Sequence, residues 1–433
     1  TLFVNTASAA KSKKRRLILA GLIGNVMEWY DFALYGYFAA VIAPLFFPAS
    51  SPSGSLIAAF GAFAAGFLVR PFGGVLFGRI GDLIGRRRAL NLSVLAMAVP
   101  TVLIGFLPTY DAIGIAAPLL LVALRIVQGL SVGGEYTCSL VFLAENAAPQ
   151  RRARAAMWGM WGGTAGILLG SGVGALVALV VSADQLSSWG WRIPFVLGAV
   201  VAFAGILIRR AIDVEPVRSH EHRPVQQALT THLGAVIRVA LLNVALGVGF
   251  YTAFVYAVTY IRDVDHLSES LALDLNTLSM AILLLILPIT ATLADRIGRK
   301  PLIVAGCAML TFGAVPFFWL MHHQDAAVIF LGELGFVVAI GTLAGGLPAA
   351  NVELIPEPVR CTGLSLAYNS SVGWFGGTTP LIATWLIAQT GDPISPAYWV
   401  MLAGSVSLFP AIFLLHETKP SAGEEASPAS TTS

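Results

Sequence analysis

Few side chains in this chain of 433 residues carry charge, and several that do lie inside long apolar runs. An ionisable group in the middle of a membrane helix costs at least about 2.5–3.5 kcal/mol, so each one is a functional candidate. Asn25, Glu28, Asp31 and Tyr35 follow at spacings of 3, 3 and 4, which places them on one face of a helix. Arg125, Gln128, Val132, Glu135 and Ser139 follow at 3, 4, 3 and 4, again one face if the helix is continuous. Arg70 supplies a second intramembrane guanidinium. Carboxyl groups facing guanidinium groups suit one chemistry above others, the uptake and release of a proton. Burial favours the protonated carboxyl, a nearby cation favours the carboxylate, and rearrangement changes which wins. The plainer alternative is that the pairs only fix helix packing.

The later part of the chain differs in kind. Asn243, Tyr251, Tyr256, Tyr260, Tyr368, Asn369 and Thr379 are neutral donors. They suit either the far end of a small ligand or ordinary interhelical hydrogen bonds. Trp29, Tyr30 and Trp374 offer aromatic faces to a cation. Glu333 is a lone carboxylate in an apolar run. His220 and His222 have ligand-like spacing but sit in a polar stretch without partner cysteines, which reads as a solvated loop. Cys138, Cys307 and Cys361 are scattered through apolar segments and form no disulfide or metal pattern. No metal and no cofactor is expected.

The elements that must position these residues are set by composition. Hydrophobic residues make up 57%, charged residues 11%, and mean hydropathy is +0.79. A soluble domain averages about 25% charged residues, so most of this surface must face something other than water. A net charge of +3 gives no reason to expect nucleic acid. Apolar runs long enough for a bilayer fall near 17–47, 56–79, 89–108, 113–143, 153–181 and 193–210, then near 234–261, 271–293, 301–321, 326–349, 363–388 and 395–416. The expectation is an all-α integral membrane protein of twelve transmembrane helices in two six-helix halves. Of the 26 Lys and Arg, Arg70 and Arg125 fall within spans and Arg192 and Arg262 at outer ends; the rest fall at the inner side. That asymmetry puts both termini in the cytoplasm. Asp111, Asp184, Asp263, Asp265, Asp325 and Asp392 mark the opposite loops. The expected organisation is a basic terminus (1–16), a first half (17–210), a cytoplasmic linker (211–233), a second half (234–416) and a short tail (417–433). The basic run from Lys11 to Arg16 leads into an apolar segment longer than a cleavable leader's, so the first helix should stay in the membrane.

Two signatures recur at nearly one offset. GRIGDLIGRRRAL (78–90) is echoed by ATLADRIGRKPLI (291–303), and AENAAPQRR (144–152) by VELIPEPVR (352–360). A duplicated membrane unit places its ligand site where the copies meet, near the midplane. The first turn, with Gly78, Asp82, Gly85, Arg86 and Arg87, resembles the loop signature of the major facilitator superfamily. The second copy keeps Asp295, Arg296, Gly298, Arg299 and Lys300 but has Ala291 at the leading glycine. The strings GNVMEWYDFALYGY (24–37), GFLVRPFGG (66–74), RIVQGLSVGGEY (125–136) and WGWRIPF (189–195) resemble its metabolite/proton symporter branch. Members of that branch carry citrate, 2-oxoglutarate, shikimate, proline or betaines.

The resemblance implies proton-coupled secondary transport by alternating access in a bacterial inner membrane, driven by the proton gradient. In the sugar/proton symporters of the same superfamily, residues matching Asp31 and Arg125 form the proton-coupling pair, which implies that role here. Glu28 and Glu135 are the next candidates by charge and position, with Glu28 alternatively shaping substrate selectivity and Glu135 a second partner for Arg125. Arg70, Arg125, Asn25, Tyr35, Gln128, Tyr251, Tyr256, Tyr368 and Asn369 are the expected substrate contacts. Gly78, Asp82, Gly85, Arg86, Arg87, Asp295 and Arg299 would form a conformational latch. Two intramembrane arginines, and a closing segment similar to citrate-type members, favour a di- or tricarboxylate as cargo. Proline or betaine is the alternative. The expected partners are that metabolite, protons and the lipid bilayer, with the chain a monomer. A membrane sensor on the same scaffold would carry a long appended domain, and the tail is short.

Overall fold

The computed structural model describes residues 22, 24–76, 86–132, 134–211 and 224–419. The expected basic terminus, the turn with Gly78, Asp82 and Gly85, and His220 and His222 lie outside these residues. The side chains of Glu135 and of Arg86 and Arg87 also lie outside them. The described residues form helices joined by short turns. α1 comprises Gly24–Tyr37 and Ala39–Phe46, bent by 63°. α2 is Pro52–Leu76, α3 is Arg86–Phe106, and α4 is Ala116–Ser131 followed by Glu135–Glu145. α5 is Pro149–Val180 and α6 Arg192–Ala211. α7 is Leu233–Asp263, α8 Glu269–Ile297, α9 Lys300–Met321 and α10 Ala326–Leu354. α11 runs from Arg360–Tyr368 through Asn369–Gly376 to Thr379–Thr390, and α12 is Pro396–Phe413.

Seven of these (α2, α5, α7, α8, α9, α10 and α12) are each long and apolar enough to cross a bilayer, and the bent α1 makes an eighth. Two expected spans are not continuous rods. The run 113–143 breaks in the string SVGGEY, between Ser131 and Glu135, because glycine is a poor helix former. The spacing that put Arg125 and Ser139 on one face therefore fails across the break. α1 bends at Phe38, two residues past Gly36, a poor helix former, while the segment that contains Pro44 stays helical.

Local chemistry explains the helix ends. Ser51 and Ser268 cap α2 and α8 by accepting from Gly54 N and Leu271 N. Asp325 caps α10 by accepting from Ala327 N. Arg192 donates to the carbonyls of Gly105 and Leu107 and closes the end of α3. Glycine sets the tightest crossing: a Cβ at Gly129 would stand 1.7 Å from the Gly66 carbonyl oxygen, so α2 and α4 touch backbone to backbone. That contact holds Arg70 and Arg125 in the same layer of the interior. Across the molecule, α5 packs antiparallel on α8, and α2 packs on α11.

Candidate functional site

The two buried arginines organise the centre. Arg70 on α2 and Glu28 on α1 form a direct ion pair, with side chains 2% and 5% exposed. The Arg70 guanidinium also lies 4.8 Å from the ring of Phe67, 4.9 Å from Phe32 and 5.6 Å from Trp29. Arg125 stands 4.7 Å from Phe32, 4.7 Å from Tyr35 and 5.3 Å from Phe63. Phe32 thus lies within cation–π reach of both cations, an attraction of about 0.5–2 kcal/mol per contact.

Asp31 and Arg125 do not bridge directly. Arg125 Nη1 donates to Gln128 Oε1 at 2.8 Å, and Gln128 Nε2 donates to Thr101 Oγ1 at 2.7 Å. The Thr101 hydroxyl sits beside the Asp31 carboxyl group and also within 3.0 Å of the Met97 carbonyl. With one proton to give and two acceptors, Thr101 can serve either. Asp31 and Arg125 are therefore linked only indirectly, through Gln128 and Thr101, with Asp31 beside α3 at one end and Arg125 among the aromatic rings at the other.

Beside the Glu28–Arg70 pair, α1, α4, α5, α7 and α11 enclose a narrow cavity. Its walls are aromatic: Trp29, Tyr136, Phe250, Tyr251 and Tyr368, with Met160 against Tyr136. Tyr136 and Tyr368 lie face towards face at 4.7 Å, and Trp29 meets Tyr136, Phe250 and Tyr251 near 6 Å. A Cβ at Gly163 would stand 3.1 Å from the Trp29 indole, so glycine lets the indole lie against α5. Two wall donors, Trp29 Nε1 and Thr164 Oγ1, are buried without a hydrogen-bond partner, while the Tyr251 hydroxyl meets the Arg70 guanidinium. Each such orphan costs about 1–3 kcal/mol, which a ligand acceptor would offset.

The other expected contacts fall in three places. Arg70, Tyr251 and Tyr368 are at the cavity or its charged neighbour. Tyr35 and Gln128 serve Arg125, with Tyr35 Oη donating to the Ala59 carbonyl. Asn25, Tyr256 and Asn369 do not line the cavity. Asn25 joins α1 to Ser139 and the Gly159 carbonyl, Tyr256 packs on Phe60, and Asn369 donates to Ser365. Trp374 is half-exposed and donates to the Leu68 carbonyl. Two intramembrane arginines suggested an anion, but Arg70 is neutralised by Glu28, so that inference loses half its charge. Tyr136, Met160, Thr164 and Phe250 were missed. Only the adjoining string VGGEY and the glycines of α5 pointed towards them.

At the basic end, Asp295 of α8 crosses to α5. Its carboxylate accepts from Ala153 N (3.1 Å), Arg154 N (3.2 Å) and Arg154 Nε (3.0 Å). An anion at a helix N-terminus is favoured by the unpaired amides and the dipole. Arg299 joins the cluster, 3.5 Å from Asp295 and 3.1 Å from Glu353, and Arg360 reaches Glu145 across the same seam at 2.5 Å. The second copy of the first signature is thus an interhelical tie, and the duplicated Glu–Arg motifs take part in it.

Helices wrapped around a charged, aromatic-lined centre, with ties across the seam at one end, define a membrane carrier rather than an enzyme. The chain belongs to the Major Facilitator Superfamily, whose family model matches residues 21–378. It is a multi-pass membrane transporter. It is 34% identical over 416 residues to the glycine betaine/proline/ectoine/pipecolic acid transporter OusA of Dickeya dadantii, covering 92% of this chain and 83% of that one. It is 33% identical over 416 residues, with the same coverage, to the proline/betaine transporter of Salmonella typhimurium. The fold matches the proton:xylose symporter XylE bound to 6-bromo-6-deoxy-D-glucose with a TM-score of 0.75 at 20% identity, over 94% of this chain and 97% of that one.

Proposed function

We propose that the protein is a proton-coupled uptake carrier for small zwitterions of the proline and betaine type. The observation that carries this reading is the buried Glu28–Arg70 pair set against an aromatic cavity with orphaned donors. A zwitterion has an ammonium for ring faces and Glu28, and a carboxylate for Arg70 and the orphaned hydroxyl and indole groups. A tricarboxylate would meet one carboxylate and a wall of ring faces, which repel anions. The relatives named for proline and betaine transport support the same choice over an organic acid.

In this reading α1 to α12 all cross the membrane, with the basic end and both termini in the cytoplasm. Residues 17–210 and 234–416 act as two halves that rock about the central site. Asp31 carries the coupled proton, released or held through Thr101, Gln128 and Arg125, and the proton gradient is the driving force. Asp295 and Arg299 latch the cytoplasmic side while the site faces out.

Purified carrier in vesicles with an imposed proton gradient should accumulate labelled glycine betaine or proline and not citrate. A protonophore should abolish the accumulation. Trp29→Ala should weaken betaine binding roughly tenfold, since a desolvated cation–π contact is worth about 1–2 kcal/mol. Uptake of citrate alone would overturn the zwitterion reading.

A further inference from the structure

Glu333 is not used by the site described above. It lies on α10 about two turns from the acidic end, 1% exposed, with Ser279 Oγ of α8 donating to its Oε2 at 2.6 Å. Its Oε1 is buried with no partner. Among the described residues no cation pairs with it. The titratable group that faces it is the Tyr37 hydroxyl of α1. Among the described residues, no hydrogen bond or ion pair joins it to a titratable group of α5, α7, α8 or α9. Tyr37 in turn stands beside Asn276 and Ser171. Those two, with Thr277, tie α5 to α8: Ser171 Oγ meets Thr277 Oγ1 at 2.7 Å, and Asn276 Nδ2 donates to Ser171 at 3.2 Å.

A buried carboxylate with one hydrogen bond and no cation partner cannot keep its charge in such a place; the neutral acid is the form that fits. We propose that Glu333 is a second protonation site of the carrier, loaded while the acidic-end halves of α5 and α8 are closed. The proton sits on the Glu333 carboxyl, comes from water on the acidic side, and returns there when α8 swings away and water reaches the group. The cycle breaks and remakes one O–H bond and needs no other reactant. The inference rests on the carrier reading above but not on its cargo.

Infrared spectra of carrier in lipid vesicles, recorded against pH, separate the cases. Glu333→Gln should lose a protonated-carboxyl band present in the parent at neutral pH, and Asp31→Asn should keep that band. Ser279→Ala removes a donor that favours the carboxylate, so the band should persist to higher pH than in the parent. Glu333→Gln preserves volume and neutrality, and its melting temperature should match the parent's. A Glu333→Gln spectrum unchanged from the parent, or no shift in Ser279→Ala, would overturn the proposal. Failure of zwitterion uptake with the band present sinks the cargo reading alone. A missing band with proton-driven uptake intact sinks only the assignment of Glu333.

Discussion

Neutralising Glu28 and Arg70, singly and together, separates recognition from architecture. Glu28→Gln leaves the Arg70 guanidinium, 2% exposed, without its countercharge. Removing one member of a buried ion pair costs about 3–5 kcal/mol, because the other charge stays desolvated. Trp29, Phe32 and Phe67 still face the guanidinium, so the lower end, about 3 kcal/mol, is expected. Arg70→Gln should cost the upper end, since the carboxylate has no such rings. The double variant Glu28→Gln/Arg70→Gln removes both charges and should fall within about 1 kcal/mol of the parent, a coupling of several kcal/mol between the sites. Betaine binding behaves otherwise. Each end of the cargo loses a charge-assisted contact of about 1.5–3 kcal/mol, so all three variants should bind at least roughly tenfold more weakly. Thermal unfolding in detergent reads the first quantity, and equilibrium binding to the same preparations reads the second. A double variant as unstable as the singles would refute the desolvation argument. One that binds betaine like the parent would reduce the pair to a packing device.

Three further outcomes follow from the geometry. Asp31→Asn should retain counterflow of internal for external substrate but lose uphill, proton-driven uptake; accumulation with normal pH dependence would make Asp31 structural. Asp295→Asn removes the charge at the α5 N-terminus, worth about 0.5–2 kcal/mol, so thiol reagents should label native Cys361 at the basic end several-fold faster while substrate still binds. At the acidic end, burial pushes the Asp265 carboxyl up to about 6, against the pull of His322 at 2.6 Å. The unfolded value is about 3.9, so folding favours the proton: that contribution is complete below the unfolded value and is lost as pH rises towards 6. Asp265→Asn stays neutral throughout, and its thermal stability relative to the parent should rise across that window; a flat difference would refute this.

The all-helical membrane architecture was legible because insertion in a bilayer demands long apolar helices. Helical spacing brought Glu28 and Asp31 to one face of α1 and matched the layer that holds Arg70 and Arg125. Pairing between helices was less legible. Nothing in spacing says that Arg70 takes Glu28 or that Arg125 reaches Asp31 only through two neutral side chains. The choice depends on the bend in α1 and the backbone contact at Gly66 and Gly129, which are three-dimensional facts. The aromatic cavity was missed for a similar reason, since Tyr136 follows the break in α4 and points where an unbroken helix would not carry it. Counting arginines favoured an anion because a count of charges ignores which of them are already paired.

The wide turns in the middle of α7 (Thr252–Tyr256) and α11 (Asn369–Gly376) have a geometric consequence. An ordinary helix advances about 100° per residue, so one extra residue looped out as an i→i+5 turn resets the phase of everything beyond it. In α11 the stretch before the turn must aim Arg360 at Glu145, and the stretch after it must aim Thr379 at the Trp399 indole 3.1 Å away. Deleting a single residue from 369–376 would rotate one of those stretches by roughly a quarter turn relative to the other. The wide turn therefore acts as a phase adjuster: it lets two faces of one helix, each fixed by different neighbours, be correct at once.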